Sequence, residues 1–142
     1  MDLDEALAFV AGRRLSVLAT IRGNGHPQLS TVVHAVGADG LVRVSVTAHR
    51  AKYANLLHRP WAVLHVGSED GWSYAVLEGD VTMSPVAADP HDATVAELVT
   101  YYRTVSGEHP DWDGYRRSMV AEERVVVRLH PVHAYGQLPS PG

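Results

Sequence analysis

Two strand-like runs, LSVLATI (15–21) and PQLSTVVHAV (27–36), are separated by only five residues, RGNGH, rich in glycine and asparagine. So short a connection joins neighbouring antiparallel strands, because a parallel pair needs a crossover of about a dozen residues. The same punctuation recurs down the chain. GADG (37–40) turns into LVRVSVT (41–47), where Val42, Val44 and Val46 alternate with polar residues and share one apolar face. GSEDG (67–71) separates WAVLHV (61–66) from WSYAVLEGDVTMS (72–84), in which Gly79 marks a bulge or a close backbone approach. RVVVRL (124–129) supplies a sixth strand. With no regular βαβ alternation, the expected fold class is mainly β with added helices, a small antiparallel barrel of six strands.

The helices fall between these strands. MDLDEALAFV opens with Asp2 and Glu5 in a capping-box pattern, carries Leu3, Leu7 and Val10 as an apolar stripe, and closes at Gly12. HRAKYANLLHRP has helical composition and ends at Pro60, which cannot continue a helix. DATVAELVTYYRTV carries Val95, Leu98, Val99 and Tyr102 at helical spacing, and DWDGYRRSMVAEE follows it. Glu108, Asp111 and Asp113 cluster before this last helix, where Asp111 reads as its N-cap rather than as a catalytic acid. Residues 1–142 form one domain, with 136–142 as a loose tail.

Several function classes drop out. A net charge of −4 argues against general nucleic-acid binding, which needs a basic surface to neutralise phosphates. The absence of cysteine removes thiolate nucleophiles and thiolate metal sites. Nine histidines raise the question of a metal, but there is no HExxH. The closest pair, His130 and His133, would face opposite ways on a continuing strand, so no metal is expected. Neither a GxSxG elbow, a GxGxxG fingerprint nor a P-loop is present. No apolar run spans a bilayer, and the acidic N-terminus resembles no targeting signal. No membrane association and a cytoplasmic location are expected.

The best chemical candidate lies in TAHRAKYANL (47–56). Of twelve cationic side chains eleven are arginine, and Lys52 is the single lysine. Thr47 ends a strand, and the helix that follows presents free N–H groups that favour an anion. Arg50 and Lys52 sit near that first turn. Two residues apart on a helix they point about 200° apart, so they converge on one anion only if Arg50 precedes the regular helix. Asn55, one turn below Lys52, is placed to hold its ammonium or share the ligand. A phosphate pocket that takes one planar fork and one compact point charge is one reading of these residues. A solvated basic helix face is the other.

The ordered stretches SVLATIRGNGHPQLS, VSVTAHRAKYANL, DGWSYAVLEG, YRTVSGEHPDWDGYRRSMV and HAYG resemble the FMN-binding split β-barrel family that includes pyridoxamine 5′-phosphate oxidase. The similarity is greatest to its branch that uses the deazaflavin coenzyme F-420. It runs from about residue 13 to 136. The resemblance implies a homodimer with cofactor at the subunit interface. It puts Gln28, Leu29, Ser30 and Thr31 along the flavin-like ring, Val46 and Thr47 beside it, and Arg50 with Lys52 on the phosphate. Trp72 and Tyr74 would approach from the second strand pair, of the same or the partner subunit. The C-terminal RLHPVHAYG keeps Arg128, Leu129 and Pro131 of the oxidase motif but has His133, Ala134 and Tyr135 where the substrate-binding arginine and acidic residue would follow. Pyridoxamine oxidation is therefore not expected.

The function so implied is hydride transfer between reduced F-420 and an activated C=C bond of a small conjugated molecule. The protein would supply orientation, and water or a side chain the proton. His34, Tyr74 and Tyr135 are the candidate acids. An FMN flavoprotein of the same fold and a non-enzymatic cofactor carrier are the alternatives.

Overall fold

A barrel requires each strand to find two neighbours, and the pairing here achieves it. In the computed structural model, which describes residues 1–139, the strands are β1 (Leu15–Ile21), β2 (Pro27–Val36), β3 (Val42–Thr47), β4 (Trp61–Gly67), β5 (Tyr74–Met83) and β6 (Arg124–Gln137). They close in the order β1-β2-β3-β6-β5-β4, with β4 returning to β1, and every pair is antiparallel. The helices are α1 (Leu3–Ala11), α2 (Ala51–His58), α3 (Ala93–Ser106) and α4 (Trp112–Ala121). Among the described residues no helix is long and apolar enough to cross a membrane.

Alternation builds the core. Val42, Val44 and Val46 point inward with Leu18, Leu64, Leu77, Val125, Val127 and Leu129, all essentially inaccessible. On β6 the intervening Val126 faces the other way, into a second apolar cluster formed by Val95, Leu98, Val99, Tyr115 and Met119 of α3 and α4. That explains the unbroken VVV of RVVVRL: the strand is buried on both faces at that point. Of the expected caps Asp111 forms as read, Asp2 caps α1 without the reciprocal box with Glu5, and Asp92 adds a cap to α3. Asp2 accepts from the Asp4 amide (2.9 Å), Asp92 from Val95 (2.8 Å) and Asp111 from Gly114 (3.0 Å). On α1 the fully buried stripe is Ala6 and Val10 with Phe9 beside them. Leu3 and Leu7 pack only partly, at its flank.

Two expectations are corrected. The last strand does not stop at Leu129 but runs to Gln137, so Gly136 and Gln137 belong to the sheet rather than to a tail. Residues 140–142 of that expected tail lie outside the described residues. Pro131 is tolerated because it faces a bulge between Glu78 and Gly79, where the ladder is already interrupted. The bulge also reverses the expected facing of the two histidines. His130 pairs with Asp80 and His133 with Glu78, residues two apart, so both histidines lie on one face. Even so, no group of three or more His, Asp or Glu among the described residues is arranged to hold a metal.

Helix α3 is fastened across the barrel by Glu97. Its carboxylate accepts from Arg43 of β3 at 2.8 Å and from Arg128 of β6 at 2.7 and 2.6 Å. Arg43 also pairs with Asp39 at 2.7 Å. Bonding to Arg128, then to Arg43, holds the Glu97 carboxyl below its ordinary value of 4.5, against the opposing effect of burial. A depressed carboxyl stabilises the fold above the unfolded value, and that contribution is lost as pH falls below 4.5 through the folded value. Glu97→Gln is expected to cost about 1–3 kcal/mol at neutral pH. It should also flatten the stability curve below pH 4.5, as read by denaturant unfolding at stepped pH.

Candidate cofactor-binding site

The barrel is not paired along its whole length. β2 and β3 share only three rungs, His34–Val44, Ala35–Arg43 and Val36–Val42. Beyond them, residues 27–33 of β2 pair with β1 alone and residues 45–47 of β3 with β6 alone. The two strands therefore diverge and leave facing edges, whose N–H and C=O groups have no ladder partner across the gap. A cavity of about 520 Å³ occupies this gap. Its strand walls are Ser30–Val33 and Ser45–Thr47, its helical wall is Tyr101, Tyr102, Tyr115 and Met119, and Arg50, Lys52 and Arg124 line it as well.

The geometry satisfies the condition under which Arg50 and Lys52 converge. Arg50 is the N-cap of α2, in extended conformation (φ −79°, ψ 150°), so its side chain leaves before the helical rotation begins. It makes no capping bond, and the first turn of α2 contains no acidic residue. Arg124, the first residue of β6, adds a third cation, with a guanidinium nitrogen 3.5 Å from Ser45 Oγ. Glu123 before it has a left-handed φ of 52°, and its carbonyl accepts from the Ala48 amide at 3.0 Å. That bond ties the α4–β6 junction to the turn that carries Arg50.

Among the described residues no carboxylate lines the cavity. Arg124 pairs with Glu122 at 2.8 Å, whereas the Lys52 ammonium reaches only Ser30 Oγ at 3.4 Å. Burial first, then Arg50 and Arg124, pushes the Lys52 pKa below its ordinary value. Arg50 and Lys52 have no carboxylate partner among the described residues, and Arg124 shares only Glu122, so the cations disfavour one another and an anion placed among them would reverse that penalty.

The other expected site residues divide into groups. Asn55 does not reach Lys52. Its amide donates to Gln28 Oε1 at 2.9 Å and Thr20 Oγ1 at 3.1 Å, bracing α2 against β1 and β2. Gln28 gives its carbonyl oxygen to that bond and lies outside the cavity lining. Leu29 (65% exposed) lies on the outer barrel face with Val17, Val63, His65, Val76 and Tyr135. Tyr74 stacks on His65 there, ring centroids 5.5 Å apart, and Trp72 (77% exposed) stands at the β4–β5 turn. The groove of one chain brings together Ser30, Thr31, Val46, Thr47, Arg50 and Lys52, and leaves Leu29, Trp72, Tyr74 and Tyr135 outside.

His34 is 2% exposed. Its Nε2 lies 2.8 Å from the Val10 carbonyl and its Nδ1 2.8 Å from Ser16 Oγ. Since a carbonyl only accepts, Nε2 carries the proton and Ser16 donates to Nδ1. Burial lowers the His34 pKa. The ring thus ties α1 to the barrel and does not line the groove.

Arg124 and the α3–α4 aromatics escaped the sequence reading. Helical spacing puts Tyr102 in an apolar stripe, and nothing local marks Arg124 as nearer to Lys52 than any other arginine. Of the three groove tyrosines, Tyr101 donates to the Val33 carbonyl (2.8 Å) and Tyr115 to the Leu98 carbonyl (2.9 Å).

Comparison with known proteins gives a consistent picture. The sequence model of the pyridoxamine 5′-phosphate oxidase family matches residues 3–138. A solved structure called F420 reductase is 23% identical over 86% of this chain and 89% of its own, with a TM-score of 0.65. A conserved hypothetical protein from Mycobacterium tuberculosis is 22% identical over 100% of this chain and 91% of its own, with a TM-score of 0.76. A pyridoxamine 5′-phosphate oxidase-related, FMN-binding protein from Nostoc punctiforme is 17% identical over 93% and 78%, with a TM-score of 0.59. At these identities the structures are similar in fold.

Proposed function

This chain belongs to the pyridoxamine 5′-phosphate oxidase family, and from that premise we propose that it is an F-420-dependent oxidoreductase acting on a small conjugated molecule. The observation that carries the reading is the groove. Facing unpaired strand edges end at three cations, and among the described residues no carboxylate lines the cavity. That donor set fits a planar ring with polar edges attached to a phosphate. Ring carbonyls and N–H groups would bond the edges of Ser30–Val33 and Ser45–Thr47, and the phosphate would take Arg50, Lys52 and the free amides of α2.

When bound in its reduced form, F-420 would supply one hydride, with the balancing proton coming from elsewhere. The chain's own residues bind the phosphate, present their backbone edges to the ring and exclude water along Tyr102, Tyr115 and Met119. Among the candidate acids, His34 is committed to Val10 and Ser16. Tyr74 and Tyr135 meet a groove only if a second copy docks on the outer face. The apolar exposure there, Leu29 and Tyr135 with Trp72 at its edge, supports a homodimer in which each copy covers the other's ring. Protonation of product then falls to water or to a partner-borne tyrosine.

FMN is the second reading, supported by the likeness to the FMN-binding Nostoc protein. What supports F-420 is the motif set DGWSYAVLEG and GEHPDWDGYRRSMV, with the oxidase's substrate arginine missing after Pro131. Equilibrium fluorescence titration decides between them, run on a sample whose dimeric mass is checked by sedimentation. The expected result is tighter binding of F-420 than of FMN. Nanomolar FMN affinity with negligible F-420 binding would transfer the assignment, and a bound F-420 that reduces no enone or quinone would make the protein a carrier.

A further inference from the structure

The groove exists because β2 and β3 stop pairing, and the structure marks the rung at which they stop. Backbone groups alternate sides along a strand, and His34 directs its N–H to β1, onto the Arg14 carbonyl at 2.9 Å. Val33 therefore presents its N–H and C=O toward β3. After His34–Val44 the next rung would be Val33–Ser45, closed by a bond between the Ser45 amide and the Val33 carbonyl. That carbonyl instead accepts the Tyr101 hydroxyl at 2.8 Å. Ser45, whose amide has no ladder partner on β2, lines the groove beside the same tyrosine.

We propose that Tyr101 is the positioning residue that splits the barrel: its hydroxyl takes the place of the Val33–Ser45 rung and sets the width of the groove. One oxygen between donor and acceptor lengthens the rung by roughly one hydrogen bond, about 2.8 Å. The strands cannot rejoin beyond it, so Ser30–Val33 and Ser45–Thr47 keep their edges free.

The wedge is held from behind. Tyr101 lies one helical turn beyond Glu97, on the same face of α3. Glu97 clamps that face to Arg43 and Arg128, on β3 and β6, while the Tyr115 hydroxyl bonds the Leu98 carbonyl of the same turn. The phenol thus has a fixed base on the β3–β6 side and pushes against β2. Burial raises the Tyr101 pKa, so the hydroxyl keeps its proton and its bond to Val33 at neutral pH. Tyr101 also separates the groove from a second cavity lined by Ala35, Gly37, Thr100 and Thr104, and therefore stands as a partition between the two.

The test is Tyr101→Phe, which keeps the ring and removes the hydroxyl bonded to Val33. Amide exchange by NMR should show Ser45 exchanging about tenfold faster once the hydroxyl that shields this edge is gone, while Val127 in the intact ladder is unchanged. Affinity for F-420 or FMN should fall about tenfold. The affinity arm rests on the groove being the cofactor site, and the Ser45 arm does not. If the wild type binds neither cofactor, the functional reading fails and Ser45 still decides the wedge. Unchanged Ser45 exchange overturns the proposal. So does faster exchange with unchanged affinity, or a uniform loss of protection at Ser45 and Val127 alike. Should Tyr101→Phe not fold, the wild type decides: Ser45 exchanging as fast as Asn24 in the β1–β2 turn would show that nothing holds its amide.

Discussion

Lys52→Ala is expected to weaken cofactor binding by about 1.5–3 kcal/mol, roughly 10- to 150-fold, with the fold intact. The magnitude follows from the ammonium's surroundings. It is partly buried, has no carboxylate partner, and reaches one hydroxyl at 3.4 Å. An ammonium has three donors, so most of its hydrogen-bonding capacity is open to an incoming anion. The free protein holds Arg50, Lys52 and Arg124 against their mutual repulsion, and removing one cation relieves part of it. The unbound protein should therefore be as stable as the wild type, or slightly more so. Loss of affinity with preserved stability separates a binding role from a structural one. Lys52→Arg should also weaken binding, by less, because a planar fork is wider than an ammonium beside Ser30. Titration of the three proteins with F-420 reads both. An unchanged Kd for the alanine variant would return Lys52 to the solvated surface.

The largest effect on stability is expected at Gly79. A Cβ built there would lie 1.9 Å from the His130 carbonyl oxygen and 2.7 Å from its carbon, both backbone atoms of the neighbouring strand. No rotamer change relieves such a contact, so the two strands must part. Gly79→Ala should cost about 2–4 kcal/mol, above the usual range for overpacking because backbone yields less than side chains do. For a chain of this size that lowers Tm by on the order of 5–15 °C. Gly23→Ala is the control: nothing lies within 4 Å of its Cβ, and its effect should stay within about 0.5 kcal/mol. If calorimetry finds the two variants equally stable, the bulge at Glu78–Gly79 does not approach β6 as closely as described. The consequence reaches beyond stability, since the bulge sets which face Tyr135 and His133 present to the outside of the barrel.

The hairpins, the helix caps and the inward face of β3 were readable from the chain because each rests on residues a few positions apart. Period-two alternation, a five-residue turn and Asp111 three residues before the Gly114 amide are local facts. The bulge at Gly79 was readable too, as a glycine interrupting a strand. Its effect was not: whether His130 and His133 share a face depends on the register between β5 and β6, and one extra residue reverses it. The end of β6 is illegible in the chain for the same reason, since Pro131 stops a strand unless an interruption of the ladder falls beside it.

The candidate site divides along that line. Lys52 was conspicuous in composition, and helix periodicity posed the question of whether Arg50 could join it. The answer, that Arg50 is an N-cap and stands outside the helix, came only from the fold. Arg124 lies 72 residues from Lys52 in the chain, and Tyr101 56 residues from Ser45. Nothing in their own neighbourhoods marks either as facing the groove. Local sequence sets which segments are strands and where charge enters a helix, because those choices are made within a turn or two. The divergence of β2 from β3, the third cation and the hydroxyl in the missing rung arise when distant segments pack, so they belong to the tertiary structure.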